Sequence, residues 1–431
     1  MKINKITALF LSLVVVVSLA ACNTKDAGTV QAQDGRVVVD FWTFWGSETR
    51  RPIIEKIIAD YNESQDDVFV KHTFLPWGDI WTKNLVSIAA GKPADIIIND
   101  IHSVAHRAEN NQVTDITPYI DDSFKEQFYP QLWEAVEVED KTYAVPFTTD
   151  TRVLFYNKTA FEEAGLDPNS PPTTWAELEE YARKLDVKDG NRYSRIGFYP
   201  LWGGLGADSW MINADDGQGL IEDGELKINT ENKVAGLEWL TNWREHYGAK
   251  TIDMFSAEFG SEQSNPFIAG KVAMWIDVGT FYTQIRDFGP DMDIGVAPIP
   301  SYDSSTENWS SGGGFVAEIP KGAKNPEAAM DFIKYLTGPE AQKYWASKNY
   351  DNVANIEGAE SALEQLEGKE KEVYAFMIEN LEVTKMFPMP IQYPDYMNQV
   401  HPIIDQVMLG QLTPAEGLKR AEESVSKSKN N

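Results

Sequence analysis

The sequence predicts an α/β protein of two lobes, each a mostly parallel sheet flanked by helices, with a ligand cleft between the lobes. The chain has 431 residues, which is too long for one small hydrophobic core. Between residues 37 and 100, apolar runs of strand length alternate with helical patterns, as in βαβ units. The composition, 42% hydrophobic and 24% charged, is typical of globular proteins.

The charge of the chain limits its partners. The formal net charge is −28. Because nucleic acids and anionic lipid surfaces repel such a chain, neither is expected to bind it. The 13 Trp and 17 Tyr supply flat faces that suit a ligand with apolar patches and a wet rim.

The start of the chain has the pattern of a secretory signal. Lys2 and Lys5 precede an apolar run over residues 8–21, which is short for a membrane-spanning helix. The run ends in Leu-Ala-Ala before Cys22, the only cysteine, and this resembles a bacterial lipobox. Residues 1–21 would then be removed, Cys22 would receive lipid, and residues 22–35 would form a flexible tether. The alternative is an ordinary signal peptide followed by a stray cysteine.

Two apolar runs in the first part of the chain, residues 37–41 and 94–98, predict strands that are buried on both faces. Between them an amphipathic helix is predicted, with Pro52 near its start. Residues 148–151 lie between two further predicted strands, and we interpret this segment as the first crossing between lobes. The glycine-rich loop at 200–206 lacks the lysine and the spacing of a phosphate-binding loop, so the glycines are expected to allow close backbone approach instead.

Later segments carry clear turn and cap signals. Thr174 is expected to cap a helix, with Glu177 capping back, and Asp223-Gly224 predicts a hairpin turn. In the stretch 265–279, Val272 to Ile276 predicts a buried strand that stops at Asp277. A carboxylate there would face the ligand crevice of a doubly wound sheet. Two alternatives stay open, an incidental solvated Asp277 and an Asp277 that caps a following helix.

Several segments resemble family 1 extracellular solute-binding proteins. Residues 265–279 match the pattern F-x-x-G-x-x-A-M of that family, and residues 156–175 and 313–342 match two further segments. The lipobox is consistent with binding proteins of bacteria that lack an outer membrane. The resemblance covers essentially all of the mature chain, but it departs at residues 349–352, where many relatives have a different turn.

The resemblance implies a type II periplasmic-binding-protein-like fold, whose two lobes close on a ligand and dock on the permease of an ABC transporter. Most members take sugars or oligosaccharides, so it implies a carbohydrate ligand and no catalytic residue, cofactor or metal. We expect a monomer, lipid-anchored through Cys22 on the extracytoplasmic face of the cell membrane. The expected N-terminal lobe is 36–149 plus 278–311, and the C-terminal lobe is 150–277 plus 312–431, with 265–279 as the second crossing.

Sugar recognition needs aromatic platforms and planar hydrogen-bonding side chains, because a sugar presents both C–H faces and hydroxyl groups. The expected sheet order brings such residues to the cleft. The ligand-binding candidates are Trp45, Ser47, Glu48, Asp100, Asp150, Arg152, Trp202, Gly204, Asp277, Trp309, Gly313 and Tyr393. The aromatic residues expected in the core are Trp42, Phe44, Trp175, Trp239 and Trp243.

Three other functions are weighed against this one. His102 and His106 have a spacing that can chelate a metal, but no third ligand is evident, and a solvated helix face is favoured. A secreted carbohydrate-active enzyme could use two of the many carboxylates. A binding protein of the same fold for a polyamine, metal or anion is also open, although an anion site should carry several arginines and only Arg152 is obvious.

Overall fold

The computed structural model describes residues 35–429. The predicted signal peptide, Cys22 and all of the tether before Gly35 lie outside the described residues. Within residues 35–429, no helix combines the length and the apolar character that crossing a membrane would require.

The strands of the described chain are, in order, β1 (Val37–Thr43), β2 (Val68–Phe74), β3 (Ile96–Asp100), β4 (Glu137–Val138), β5 (Lys141–Thr142), β6 (Val145–Thr149), β7 (Arg152–Asn157), β8 (Val187–Asp189), β9 (Arg192–Arg195), β10 (Ile221–Glu222), β11 (Glu225–Leu226), β12 (Met274–Val278), β13 (Ile294–Ala297), β14 (Ser310–Ser311), β15 (Gly314–Glu318), β16 (Asn352–Val353) and β17 (Thr384–Lys385).

The α-helices are α1 (Arg50–Ser64), α2 (Asp79–Ala89), α3 (Val104–Glu109), α4 (Asp122–Lys125), α5 (Pro130–Glu134), α6 (Lys158–Glu163), α7 (Trp175–Leu185), α8 (Ala207–Ala214), α9 (Glu231–Tyr247), α10 (Ala249–Ser256), α11 (Tyr282–Phe288), α12 (Pro326–Leu336), α13 (Pro339–Asn349), α14 (Ile356–Ala362), α15 (Gly368–Asn380), α16 (Tyr396–Met408) and α17 (Pro414–Ser426).

The first lobe is built on a six-stranded sheet in the order β16-β6-β15-β3-β1-β2. The predicted apolar runs form β1 and β3, where Phe41 and Ile98 are fully buried. β1 is parallel to β2 and β3, whereas β15 is antiparallel to both β3 and β6. The carboxyl ends of β1, β2, β3 and β6 therefore lie at one edge of this sheet, together with the start of β15. Because β6 leads into the other lobe, this edge faces the second lobe.

The second lobe holds β7 between β12 and β13, and both neighbours are antiparallel to β7. Three isolated bridges in this lobe are parallel: Thr174 to Ser301, Ile196 to Val272 and Gly203 to Ile276. α7, α8 and α9 enclose an aromatic core beside this sheet, in which the Trp175 and Trp239 rings stack with centroids 4.0 Å apart. The second lobe therefore buries its tryptophans as helix stripes, as the sequence predicts for Trp175 and Trp239.

Local signals in this lobe are confirmed. The hydroxyl of Thr174 accepts the N–H of Glu177 at the start of α7, and the Glu177 carboxylate accepts the N–H of Thr173 at 2.7 Å. β10 and β11 form the predicted hairpin, with φ values of +50° at Asp223 and +76° at Gly224. These features follow from neighbouring residues alone, since turns and caps depend on a few side chains.

The strand pairings correct the expected division of the chain after residue 277. That division places β13 in the N-terminal lobe, but β13 pairs with β7 of the second lobe. It places β15 in the C-terminal lobe, but β15 pairs with β3 and β6 of the first. Residues 278–311 therefore belong with 150–277, and β15 and β16 with 36–149. Both strands are short apolar runs beside glycines and would suit either sheet. Only the strands with which they form hydrogen bonds show the lobe to which each belongs.

The expected second crossing at 265–279 is also corrected. β12 spans Met274–Val278, two residues later than predicted, so Asp277 lies within the strand and pairs with Val153. The chain then continues through α11 to β13 on the same sheet. The stretch therefore stays in the second lobe, and β14 to β15 is the second place where the chain changes sheet.

Candidate functional site

An ion pair joins the two chain segments that cross between the sheets. The first crossing, predicted at 148–151, links β6 to β7, and the second links β14 to β15. Asp150 Oδ1 accepts the N–H of Gly313 at 3.0 Å and the guanidinium of Arg152 at 2.5 Å. Arg152 Nη1 also donates to the carbonyl of Ser311 at 3.0 Å. One carboxylate and one guanidinium thus hold the crossings side by side.

A buried group of polar side chains, here called the crossing node, lies next to this ion pair. It consists of Thr151, Ser310, Asn380 and Thr384, all of which are buried. The Thr151 hydroxyl donates to Ser310 Oγ at 3.0 Å and lies 2.7 Å from the Thr384 hydroxyl. Asn380 Nδ2 donates to Thr151 Oγ1 at 2.7 Å. Because buried polar groups require partners, the node fixes where a third segment, ending in β17, joins the two crossings.

A cavity of about 620 Å³ lies between the lobes beside Arg152. An adjoining cavity of about 330 Å³ shares His102, Phe387 and Tyr396 with it. These volumes are in the range of small-molecule sites. Both lobes and the crossing segments line the larger cavity. Its ionisable or hydrogen-bonding side chains include those of His102, Glu134, Arg152, Asp208, Glu222, Trp309 and Lys385.

Two nitrogen atoms of residues that line this cavity are buried and lack a hydrogen-bond partner among residues 35–429. They are Nε1 of Trp309 and Nδ1 of His102. Trp309 is 3% exposed, and Gly217 approaches its ring so closely that a Cβ there would lie 2.5 Å from Trp309 Cδ1. A buried N–H without a partner costs about 1–3 kcal/mol.

A third cavity of about 270 Å³, here called the smaller cavity, also lies between the lobes. Arg50 and Lys348 line it from the first lobe, and Asp277 and Thr280 from the second. Asp351 holds Arg50 in place through an ion pair of 3.0 Å. Asp351 lies in the loop at 349–352 where the sequence departs from the family pattern. This loop therefore supplies the acid that orients Arg50 at the cavity.

Burial perturbs the carboxyl group of Asp277, which lines this cavity, and that of Asp351, which holds Arg50 beside it. It raises the pKa of Asp277, against the opposing hydrogen bonds from the Trp275 indole and the Val278 N–H. Arg152 also lowers the Asp277 pKa and Asp150 raises it, so the charges of the first crossing act at this cavity too. Burial likewise raises the pKa of Asp351, mainly against the attraction of Arg50.

Three aromatic candidates are corrected, because the structure places them in the cores. Trp45 is 2% exposed and packs on Phe147 and Trp345. Its position follows from the alternation of β1, which continues past Thr43 and turns Trp45 inward. Trp202 packs against Phe255 and donates to Ser256, and Tyr393 is 5% exposed.

The same alternation corrects the expectation that Trp42 and Phe44 belong to the core. Both side chains are only half-buried, since they occupy the positions between the buried ones along this segment. The Trp42 indole donates to Asp40 at 2.8 Å. Trp45 and Phe44 have therefore exchanged the roles that the sequence predicts for them.

Several polar candidates form hydrogen bonds with the nearby backbone. The Ser47 hydroxyl accepts the N–H of Arg50 at 3.1 Å before α1. Asp100 accepts the N–H of His102 at 2.9 Å and so caps the turn after β3. Glu48 is exposed on the same loop as Ser47. These contacts position the loops of the cleft edge rather than the cavities.

The two glycine candidates allow close backbone approach, which the sequence predicts for Gly204 in the loop at 200–206. Gly204 donates to the carbonyl of Ile276 at 2.7 Å, and a Cβ there would lie 3.1 Å from Asp277 Oδ1. A Cβ on Gly313 would lie 3.3 Å from Asp150 Oδ2. Of the predicted residues, the structure brings Arg152 and Trp309 to the larger cavity, Asp277 to the smaller one, and Asp150, Gly204 and Gly313 next to them.

A cluster of four aromatic rings at the cleft edge of the first lobe was not among the candidates. We call Phe44, Trp77, Trp81 and Phe315 the edge cluster. Trp77 is 60% exposed, and its ring centroid lies 4.8, 4.7 and 5.8 Å from those of Phe44, Trp81 and Phe315. Trp77 lies three residues after β2, between Pro76 and Gly78, which is the same kind of sequence signal as that of Trp45. Phe315 lies inside a strand and has no such signal.

His102 is the other residue that the sequence does not assign to the site. Its side chain is half-buried at the larger cavity rather than on a solvated helix face. Sequence order offered a signal, because His102 follows Asp100 at the end of β3. Within residues 35–429, no three His, Cys, Asp or Glu side chains are grouped so that they could hold a metal ion.

The chain is similar to known proteins in both sequence and structure. A family model for bacterial extracellular solute-binding proteins matches residues 45–343. The maltooligosaccharide ABC transporter solute-binding lipoprotein of Streptococcus pneumoniae is 25% identical over 380 residues, 86% of this chain and 84% of that protein. The arabinooligosaccharide-binding protein of Bacillus subtilis is 21% identical over 97% of this chain and 98% of its own. The solved structure of CpMnBP1 with mannotriose bound matches with a TM-score of 0.76 and 26% identity, over 90% of this chain and 100% of that chain.

Proposed function

Because the chain belongs to the bacterial extracellular solute-binding protein family, we propose that it captures a saccharide between its lobes and delivers it to the permease of an ABC importer. The observation that carries the proposal is the cavity of about 620 Å³ between the lobes, which Trp309 lines with a buried indole N–H that has no partner among residues 35–429. Such a donor suits a neutral ligand rich in hydroxyl groups.

The side chains at the cavity support a sugar by their mixture of chemistry. Glu134, Asp208 and Glu222 offer acceptors, while Arg152 and Lys385 offer donors, all within one space. A sugar hydroxyl donates and accepts at once, so it can use both kinds of group. A strongly anionic or cationic ligand would meet charges of its own sign there.

The relatives support the same ligand class and setting. Those named above bind maltooligosaccharides, arabinooligosaccharides or mannotriose, and one is a lipoprotein of an ABC transporter. We propose that Cys22 receives lipid in this chain and anchors it on the outer face of the membrane. Lobe closure around the ligand then presents one monomer, loaded with sugar, to the permease.

A thermal-shift screen tests the proposal. The set contains glucose, maltose, maltotriose, mannobiose, mannotriose and arabinooligosaccharides, with spermidine, phosphate and divalent metals as the non-sugar comparison. At a hundredfold excess over its dissociation constant a bound sugar stabilises the fold by about 2.7 kcal/mol, so at least one saccharide should raise the melting temperature clearly. Stabilisation by a non-sugar and by no saccharide would refute the assignment. Release of shorter sugars during incubation would favour an enzyme instead.

A further inference from the structure

A buried ion pair lies next to the turn that carries His102. The guanidinium of Arg107, in α3, bonds the carboxylate of Glu318, at the end of β15, and the two residues are 7% and 1% exposed. Arg107 Nε donates to both oxygens of Glu318, at 3.0 and 2.9 Å. Asn99 Nδ2 donates to Glu318 Oε2 at 2.8 Å, so one carboxylate joins β3, β15 and α3.

The two terminal nitrogens of this guanidinium hold the turn itself. Arg107 Nη2 donates to the carbonyl of Asp100 at 3.0 Å, and Nη1 donates to the Ser103 hydroxyl. The Ser103 hydroxyl donates to the Asp100 carbonyl at 3.1 Å, and the Asp100 carboxylate accepts the N–H of His102 at 2.9 Å. His102 therefore lies between two residues that one buried side chain fixes.

The turn meets other parts of the site through His102. His102 lines both adjoining cavities, and its Nε2 lies 3.4 Å from where a Cβ on Gly313, in the second crossing, would sit. Its carbonyl accepts the N–H of Met389 at 2.7 Å, in the segment that follows β17. Because the residues on both sides of Met389 are prolines, this is the one backbone donor that residues 388–390 can offer. The position of His102 therefore sets where that segment reaches the first lobe.

The chemistry of the ion pair suits a positioning role better than a gain in stability. Two buried charges lose their hydration, so an apolar pair of similar volume is often equally stable. The guanidinium fork, however, presents several donors in fixed directions, which a lysine cannot match. Arg107 uses its three nitrogens on three residues, namely Glu318, Asp100 and Ser103. Arg107 is not among the residues that line the two cavities, so it can affect a ligand only through the groups that it holds.

We propose that Arg107 is a positioning residue of the saccharide site, which fixes the turn at residues 100–103 so that His102 stays at the junction of the two cavities. Glu318 anchors Arg107, and the bond from Met389 to the His102 carbonyl extends the same constraint to the segment after β17. This rests on the proposed function and goes beyond it, because it assigns the site a residue that no ligand contacts.

Calorimetric titration and hydrogen exchange on the wild-type chain and three variants test this role. Arg107→Lys keeps the positive charge but loses the fork, and Ser103→Ala removes one acceptor of the fork while leaving the ion pair. Arg195→Lys is the matched control, because Arg195 also bonds an acid, Glu163, and a backbone carbonyl, that of Leu185, but lines neither cavity. The probes are mannobiose, mannotriose, maltose and maltotriose. Exchange of the Met389 amide is followed on chains labelled with ¹⁵N-methionine.

The expected result is a change that the Arg107 variant shows and the Arg195 variant does not. Arg107→Lys should weaken saccharide binding roughly tenfold and speed exchange of the Met389 amide, and Ser103→Ala should do both to a smaller extent. Arg195→Lys should bind and exchange as the wild type does, even where both lysine variants melt at a lower temperature. An equal loss of affinity in both lysine variants overturns the positioning role, as does a weaker affinity with unchanged exchange at Met389.

The wild-type titration separates this role from the proposed function. If the wild-type chain binds a saccharide and Arg107→Lys binds it equally well, only the positioning role is wrong. If the wild-type chain binds none of the saccharides, the proposed function is wrong, and the role of Arg107 in it is overturned as well.

Discussion

The indoles in the core of the second lobe and the indoles near the cleft differ in what they contact. Trp175, Trp210 and Trp239 are buried, and each N–H donates to an acceptor of the same lobe at 2.6–2.8 Å. Near the cleft, Trp77 is 60% exposed, and the indole nitrogens of Trp81 and Trp309 have no partner within residues 35–429. The same residue type therefore has a satisfied N–H in the helical core, and an unpartnered N–H or an exposed ring near the cleft.

This difference shows that the location of an indole decides whether a ligand could contact it. A missing hydrogen-bond partner is only supporting evidence. Trp243 also has a buried indole nitrogen without a partner among the described residues, yet it packs within the helical core against Trp239 and Tyr247. Trp309 differs because it lines a cavity between the lobes, and Trp81 because it lies in the edge cluster. An unsatisfied donor indicates a ligand only where a ligand can reach it.

The largest expected contrast is in stability. Trp210→Ala should lower the free energy of unfolding by about 3–5 kcal/mol, because the side chain is fully buried between Trp175 and Trp239. Trp77→Ala should change it by no more than about 0.5 kcal/mol, as for an exposed residue. Urea denaturation of both variants measures the contrast. A similar loss in the two would show that the edge cluster is a packing element of the fold.

A pair of tryptophan-to-phenylalanine variants distinguishes the contribution of the indole N–H from that of the aromatic ring. Trp175→Phe leaves the buried side-chain oxygen Oδ1 of Asn213 without its donor, so stability should fall by about 1–3 kcal/mol. Trp309→Phe removes a donor that has no protein partner in the described chain, so stability should change less while saccharide affinity falls. Denaturation and calorimetry on both variants check this. Equal destabilisation without an effect on binding would assign Trp309 to the core.

The smallest effect concerns Asp277, which accepts the indole N–H of Trp275 at the smaller cavity. Burial raises its folded-state pKa, so the folded chain holds this proton more tightly than the unfolded chain does. Wild-type stability should therefore fall, relative to Asp277→Asn, as pH rises from about 4, the ordinary value for an aspartate, through the raised value. Denaturation curves of the two proteins at several pH values across this interval measure the difference in stability. If the stability of the wild type rises relative to that of Asp277→Asn over this pH interval, the direction assigned to the pKa shift of Asp277 is wrong.

Binding by the same variant sharpens the comparison further. Asp277→Asn should also weaken saccharide binding, because a carboxylate at the cleft accepts hydroxyl groups more strongly than an amide does. Its melting temperature without ligand serves as the folding control. Unchanged affinity would leave Asp277 as a local partner of Trp275.

The parts of the fold that the sequence predicts well are those that neighbouring residues decide. The buried runs of β1 and β3, the cap at Thr174 and the hairpin at Asp223 all appear where expected. For the candidate site, only some of the predicted residues lie at the cavities. Arg152, Trp309 and Asp277 reach the cavities, whereas Trp45 turns inward because the alternation of β1 runs two residues beyond the strand.

By itself the sequence determined the elements, the two-lobed α/β class and the position of the first crossing, because periodicity, caps and turns are local properties. The tertiary structure alone decided which sheet receives β13 and β15, since either strand has the composition for both. It also decided that Phe44, Trp77, Trp81 and Phe315 meet at one edge. They come from three separate stretches of the chain, and only the strand order β15-β3-β1-β2 makes them neighbours.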